Sequence, residues 1–296
     1  MESAASAVNL TTPVIDPLRA AETNLAQILA VVSVCHILAL ACVFIRIYIR
    51  AIVVRSPGMD DMCIAIAILC ASGGWVGFLI QAQHGLGRHQ ETVSNDDMVV
   101  FTHVSFSQAI VSATCAMAFL KLSIGFNLLR LSTSKWYIWS LRGAMTVVVC
   151  YSIMSLMTFF FHCKPLAGNW DPSLQPQCYS KDLFMTFGLV NTGFNLVTDV
   201  LFATFPVFII WPLRMKKGLR IYLICILSLG YFAVALGVVK GIYQACFIKE
   251  VDRTFRLSVT FWGFLELNVG IIAACAVTLK PLLNIVLGLP ATNHYH

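Results

Sequence analysis

The chain has 296 residues, of which 58% are hydrophobic and only 11% charged, and its mean hydropathy is +0.81. About a quarter of an ordinary globular chain is charged, so this sequence cannot furnish a soluble surface. At about 20 apolar residues per crossing, its length allows roughly seven membrane helices and leaves no room for a large extramembranous domain. The net charge of +6 follows from the loop bias described below and gives no reason to invoke nucleic acid.

Residues 1–24 are polar and lack the basic start and small-residue cleavage site of a signal peptide. They are expected as an extracellular or luminal N-terminus, followed by a transmembrane domain over 25–285 and a short cytoplasmic tail over 286–296. Apolar runs place the spans at about 25–45, 62–83, 98–122, 140–161, 183–211, 221–245 and 257–280. Runs such as LAQILAVVSVCHILALACVF are long and unalternating, unlike the segments of about ten alternating residues in a membrane barrel. The fold class is an all-α membrane protein, a seven-transmembrane helical bundle with its N-terminus outside and its C-terminus cytoplasmic.

Orientation rests on charge. With the N-terminus outside, the cytoplasmic loops carry +9, led by Arg46, Arg50, Arg55 and the basic third loop Arg214 to Arg220, and the opposite side carries −3. The single N-x-S/T sequon, at Asn9, falls on that opposite side and makes a glycoprotein the expectation. Eight of the eleven cysteines lie inside spans, as small packing residues. Cys163 and Cys178 share one external, proline-rich loop and are expected to form a disulfide there, with Cys246 as the competing partner.

The motifs FIRIYIR (Arg46, Tyr48, Arg50), Asp60-Asp61, GLGRH (Gly85 to His89), KLSIGFNLLRL (from Lys121), FHCKPLAGNW (Phe161 to Trp170), NLVTDVLFATFP (Asn195 to Pro206) and FWGFLELNVGIIAACAVTLKPLL (from Phe261) occur in that order over about 44–285. In that order they resemble the fungal rhodopsin-domain family of integral membrane proteins. The resemblance implies a receptor-like seven-helix protein of filamentous fungi, a family that includes surface-sensing proteins and members encoded in secondary-metabolite clusters such as that for satratoxin. Leu128 replaces a usual Tyr, Lys240 a usual Arg, and no Pro stands near Val277. The few residues after the last span contrast with the long cytoplasmic tail of many members.

Several membrane chemistries lack their required residues. A retinal Schiff base needs a mid-membrane lysine in the seventh span, and Lys280 lies at its inner end. Desaturases need several histidine boxes, and His84 with His89 makes only one, so no metal is expected. Asp60-Asp61 is a single acidic pair near three arginines, which suits helix capping and loop pairing. No cofactor is expected.

The intramembrane charges Lys121, Asp199, Lys240 and Glu266 are costly enough to demand partners or a cavity. Glu266 with Lys240, and Asp199 with Lys121, lie within roughly one or two helical turns in depth, and a lysine can snorkel the remainder. One reading is two ion pairs that fix the register of the bundle. The other is a polar cavity built from Glu266, Asp199, Asn191, Asn195, Lys240 and Asn268, walled by Trp262 and Phe261, in which Glu266 or Asp199 acts as a general acid on a lipophilic substrate. In that reading His89 folds over the cavity mouth on the two glycines of GLGRH. Gly73 with Gly77, and Gly237 with Gly241, are helix-packing pairs.

The leading functional expectation is an accessory protein or membrane-embedded cyclase or isomerase of secondary-metabolite biosynthesis, in the endoplasmic reticulum or plasma membrane. Its partners would be a lipophilic small molecule and membrane lipids. The alternative is a receptor-like surface or ligand sensor with a cytoplasmic protein partner at the basic third loop. A transporter is disfavoured, because neither an internal repeat nor paired broken helices are visible.

Overall fold

The computed structural model describes residues 22–131, 134–210, 217–246, 253–256 and 258–277. Their helices are α1 (Leu25–Tyr48), α2 (Met59–Gln83), α3 (Asn95–Gln108), α4 (Met117–Leu131), α5 (Lys135–Phe160), α6 (Lys181–Ile210), α7 (Lys217–Cys246), the single turn α8 (Arg253–Arg256) and α9 (Ser258–Ala276). A π-helical stretch, Ala109–Ala116, fuses α3 and α4 into one rod, and a second, Ile49–Val53, extends α1. The seven spans are therefore α1, α2, α3 with α4, α5, α6, α7 and α9. Six of them are long and apolar enough to cross a membrane, and α6 packs between α5 and α7 in the same bundle.

The helices overrun the apolar runs read from the sequence. The third span starts at Asn95 and continues to Leu131 because its ends are capped or anchored by polar groups that hydropathy does not register. At its start Ser94 Oγ accepts from the Asp97 N–H (3.1 Å) and donates to Asp97 Oδ2 (2.6 Å), while His84 Nδ1 lies 2.7 Å from Asp97 Oδ1. At its other end Arg130 donates to Ser56.

One end of the bundle is organised by arginine. Arg46, only 1% exposed, donates to Asp60 Oδ2 (2.6 Å), Asp61 Oδ1 (3.0 Å) and the Ala274 carbonyl (2.9 Å), which ties α1 to α2 and α9. Arg50 adds a bond to Asp60 at 2.9 Å, and the Asp61 carboxylate accepts the Gly58 N–H at the start of α2. Both carboxylates are thus taken by arginines and a helix cap. Trp136 and Trp139 stand exposed near this end, where interfacial aromatics are usual.

The opposite end carries a lid. The loop between α5 and α6 forms a two-stranded hairpin, β1 (Cys163–Lys164) against β2 (Gln177–Cys178), closed by a Cys163–Cys178 disulfide. Cys246 is free and exposed. Trp170 of this loop stacks on His103 at 4.3 Å, the Tyr179 hydroxyl donates to the Thr158 carbonyl, and His162 Nδ1 sits 2.7 Å from Asn169 Oδ1. Ser173 donates its hydroxyl and its backbone N–H to Asp171 Oδ1, which holds that carboxyl below its ordinary value.

The core between α1, α2, α4 and α9 is rich in small residues (Ala39, Ala67, Ala71, Ala116, Ala274) around Ile64, Leu267 and Ile271, which lets backbones approach closely. The glycine pair read as Gly73 with Gly77 is corrected here. A Cβ on Gly73 would meet nothing nearer than 3.6 Å, whereas one on Gly74 would meet Ser112 Oγ at 2.7 Å and one on Gly77 would meet Gln108 Nε2 at 2.7 Å. Gly74 and Gly77, a turn apart on one face, seat the third span. At the lid end, Gly85 (φ 100°) and Gly87 (φ 75°) turn the chain in a conformation that favours glycine. Gly87 then bonds both Asn24 and Thr254, holding the start of α1 and α8 together.

Candidate functional site

Asn191, Asn195 and Asp199 recur every four residues along α6 and therefore share one stripe of that helix. Lys121 reaches this stripe from α4. Its ammonium, on a residue 1% exposed, is surrounded by the Asn195 carbonyl (2.9 Å), Asn195 Oδ1 (2.8 Å), Thr198 Oγ1 (2.8 Å) and Asp199 Oδ1 (3.0 Å). The Asn195 amide nitrogen donates to Asp199 Oδ2 (3.0 Å) and to Glu266 Oε1 (2.7 Å), and Lys240 Nζ donates to Glu266 Oε2 (2.5 Å). Two lysines and two carboxylates are thus joined through one asparagine into a formally neutral network across α4, α6, α7 and α9. Gly237, one turn before Lys240, makes room for it: a Cβ there would lie 2.9 Å from Glu266 Oε1 and 3.0 Å from Leu196.

A cavity of about 170 Å³ adjoins this network among the second to seventh spans, with Thr158 and Phe159 at the lid end of its wall. Asn195 and Lys240 belong to both the network and the wall. The apolar part of the wall includes Phe78, Met117, Phe159, Phe184 and Phe264. Two further wall residues, Met154 and Phe187, are each 37% exposed on the outer surface of the bundle. The π-helical stretch supplies Ala109, Ser112, Ala113 and Thr114, and such stretches concentrate at functional sites.

Three wall residues carry buried polar atoms that find no partner among the described residues: Gln108 Oε1, Tyr151 OH and Asn191 Oδ1. The Gln108 amide is oriented by its Nε2, which donates to the Gly74 carbonyl at 2.9 Å. The Lys121 ammonium lies 5.7 Å from the centroid of the Tyr151 ring.

Of the residues singled out from the sequence, Asn191, Asn195 and Lys240 line the cavity. Glu266 and Asp199 sit behind them in the ion-paired network, so neither carboxyl forms part of the wall. Asn268 is on another face of α9, because two residues along a helix turn the side chain by about 200°. Its Oδ1 is 3.1 Å from His36 Nδ1, and its Nδ2 donates to the Phe264 carbonyl. Trp262 stacks on Tyr243 (6.4 Å), and His89 stacks on Phe255 (4.3 Å) beside the GLGRH turn instead of covering the cavity. Asn9 and Lys280 lie outside the described residues, as do the side chains of the basic third loop.

Sequence reading missed Gln108, Tyr151 and the π-helical stretch. It also missed a part-buried polar pair in which His36 Nε2 meets Ser72 Oγ at 3.2 Å. His162, Cys163 and Cys178 come together at the spacing of a metal site, but the two sulfurs are bonded to each other and offer no thiolates.

A family model described as fungal rhodopsin domain matches residues 45–285. The chain is similar to a SAT4 family membrane protein of Emericella nidulans, at 25% identity over 232 residues that cover 75% of this chain and 54% of the relative. It is also similar to the polyenoic acids biosynthesis gene cluster protein Ba17b of Metarhizium anisopliae, at 25% identity over 272 residues, 86% of this chain and 72% of the relative. A third relative, satratoxin biosynthesis SC1 cluster protein 4 of Stachybotrys chartarum, is 24% identical over 151 residues, 51% of each chain. The matches thus cover about half the length of the first and third relatives. No solved structure matches.

Proposed function

Because the chain belongs to the fungal rhodopsin domain family of multi-pass membrane proteins, and two of its relatives are named for secondary-metabolite gene clusters, we propose that it is an accessory protein of secondary metabolism. In this role it holds one end of a lipophilic small molecule in the cavity between its third and seventh spans. The observation that carries this reading is a cavity of about 170 Å³ inside the bundle whose wall sets polar side chains, Ser112, Ser152, Asn191 and Gln244, beside aromatic ones, Phe159, Phe184 and Phe264. A wall of mixed polar and apolar groups suits a lipophilic ligand with polar groups at one end. Met154 and Phe187 bring the wall to the surface that faces lipid, which gives a ligand dissolved in the bilayer a short way in.

Within this reading Glu266 and Asp199 are holding groups. Both oxygens of each carboxylate accept hydrogen bonds or ion pairs from Asn195, Lys240 or Lys121, and neither faces the bound molecule. That arrangement favours binding and presentation over acid-catalysed cyclisation. The N-terminus-outside orientation belongs to the same proposal, and the lid disulfide supports it, since such bonds persist in oxidising compartments.

The test is to purify the protein in lipid nanodiscs from a fungal host that makes the metabolites and to identify co-purifying small molecules by mass spectrometry. A secondary metabolite or its precursor is expected to be retained by the parent and depleted in Asn191→Leu and Tyr151→Phe. Equal retention by the parent and by both variants would remove the cavity from the explanation.

A further inference from the structure

We propose that the arginine end of the bundle carries a binding surface for anionic phospholipid, centred on the first turns of α5. Six cations are placed at this end, Arg46, Arg50, Arg55, Arg130, Lys135 and Arg142, against two carboxylates, Asp60 and Asp61. Both carboxylates are taken. Asp60 Oδ2 accepts from Arg46 (2.6 Å) and Arg50 (2.9 Å), and Asp61 accepts from Arg46 (3.0 Å) and the Gly58 N–H (3.1 Å). Arg55, Arg130, Lys135 and Arg142 stand exposed and form no ion pair among the described residues. The α6–α7 connection and the residues after α9, 211–220 and 278–296, add Lys and Arg in sequence but no Asp or Glu. The chain therefore supplies no counter-charge for these four cations.

Position points the same way. Lys135, Trp139 and Arg142, at spacings of four and three, share one face of α5, and the Arg142 guanidinium lies 5.9 Å from the centroid of the Trp139 ring. Trp136 and Trp139, 89% and 70% exposed, mark the depth of lipid headgroups. Arg130, with only four residues of chain between it and Lys135, uses both terminal nitrogens on Ser56, and its remaining N–H groups are free for phosphate oxygens. Further along α5, Trp139, Gly143, Val147 and Cys150 form one exposed stripe, and a Cβ on Gly143 would meet nothing within 4 Å. The glycine leaves a shallow notch that receives an acyl chain below the headgroup. In the orientation proposed above, this end meets the cytoplasmic leaflet, whose surface is negative.

To test this, the full chain in a neutral detergent is incubated with equal amounts of dioleoyl phosphatidylglycerol and dioleoyl phosphatidylcholine, which share acyl chains and differ in headgroup charge. Lipid retained through gel filtration is counted by mass spectrometry. At low salt the parent is expected to retain phosphatidylglycerol at least about fivefold over phosphatidylcholine, the preference that one basic residue at the headgroup supplies. Raising salt to about 0.5 M, where the screening length is about 4 Å, should narrow that ratio to about twofold. Lys135→Gln with Arg142→Gln should narrow it to about twofold already at low salt. Lys164→Gln with Lys181→Gln, at the lid end, should leave it unchanged. All four substitutions fall on exposed side chains, and the salt series on the parent needs no variant. Equal retention of the two lipids by the parent, or retention of neither, would overturn the proposal. So would an unchanged ratio in Lys135→Gln with Arg142→Gln, or an equal fall in both double variants.

Discussion

Replacing Glu266 by glutamine asks whether its carboxylate holds the bundle together. The amide keeps the shape of the side chain but places an NH2 group or a neutral oxygen against Lys240 Nζ, now 2.5 Å from Glu266 Oε2, and leaves a net positive charge in the bundle interior. Breaking a buried pair by removing one partner costs about 3–5 kcal/mol. At about 2 °C per kcal/mol for a chain of this size, the apparent melting temperature should fall by roughly 6–10 °C. The double substitution Lys240→Met with Glu266→Met removes both charges. Asn195 Nδ2 keeps its bond to Asp199, so the residual loss is about one hydrogen bond, near 1 kcal/mol, and most of the melting temperature should return. Fluorescence-detected gel filtration after heating, in one detergent and lipid mixture, measures all three proteins. The reasoning fails if Glu266→Gln melts with the parent, or if the double variant melts no higher than the single one.

Non-reducing peptide mapping should find Cys163 linked to Cys178 and Cys246 as a free thiol, and replacing the linked pair by serine should make the lid far more sensitive to protease, since closing a 15-residue loop is worth about 3 kcal/mol. Gly77→Val should destabilise by about 1–3 kcal/mol, because Gln108 is pinned to the Gly74 carbonyl and cannot move aside. Gly143→Ala, with nothing within 4 Å of the added methyl, should be neutral or raise stability by up to about 1 kcal/mol. Glycosidase should shift the mobility of the expressed chain and Asn9→Gln should abolish that shift, while a tag on the N-terminus that is accessible from the cytosol would reverse the assigned orientation.

The number of spans was legible because lipid imposes a length and a composition that twenty consecutive residues reveal. Helix ends were not, because capping by Ser94 and anchoring by Arg130 act through polar groups outside the apolar runs. The partners Glu266 with Lys240 and Asp199 with Lys121 could be read from depth alone, since a charge in a span must find a counter-charge at its own level. The third member, Asn195, could not, because the bridge depends on which way an uncharged amide faces. The same difficulty hid Gln108 and Tyr151 and misplaced Asn268, which is near Glu266 in sequence but turned toward His36 in space. Neutral polar residues barely change hydropathy, and only the packed arrangement shows which of them are left without partners.

The widened turns over Ala109–Ala116 act as a phase adjuster in the third span. Before them, Gln108 is pinned to the backbone of α2; after them, Lys121 is buried among oxygens of α6. A regular α-helix advances about 100° per residue, so both anchors can be met by one continuous rod only if the turns between them are wound at a different rate. If the same residues wound as ordinary helix, everything beyond them would be rotated away from the fifth span, even though every anchoring side chain would still be present in the chain. The site therefore depends on a count of residues as much as on their identity, and a comparison that aligns the third span without gaps would overlook that dependence.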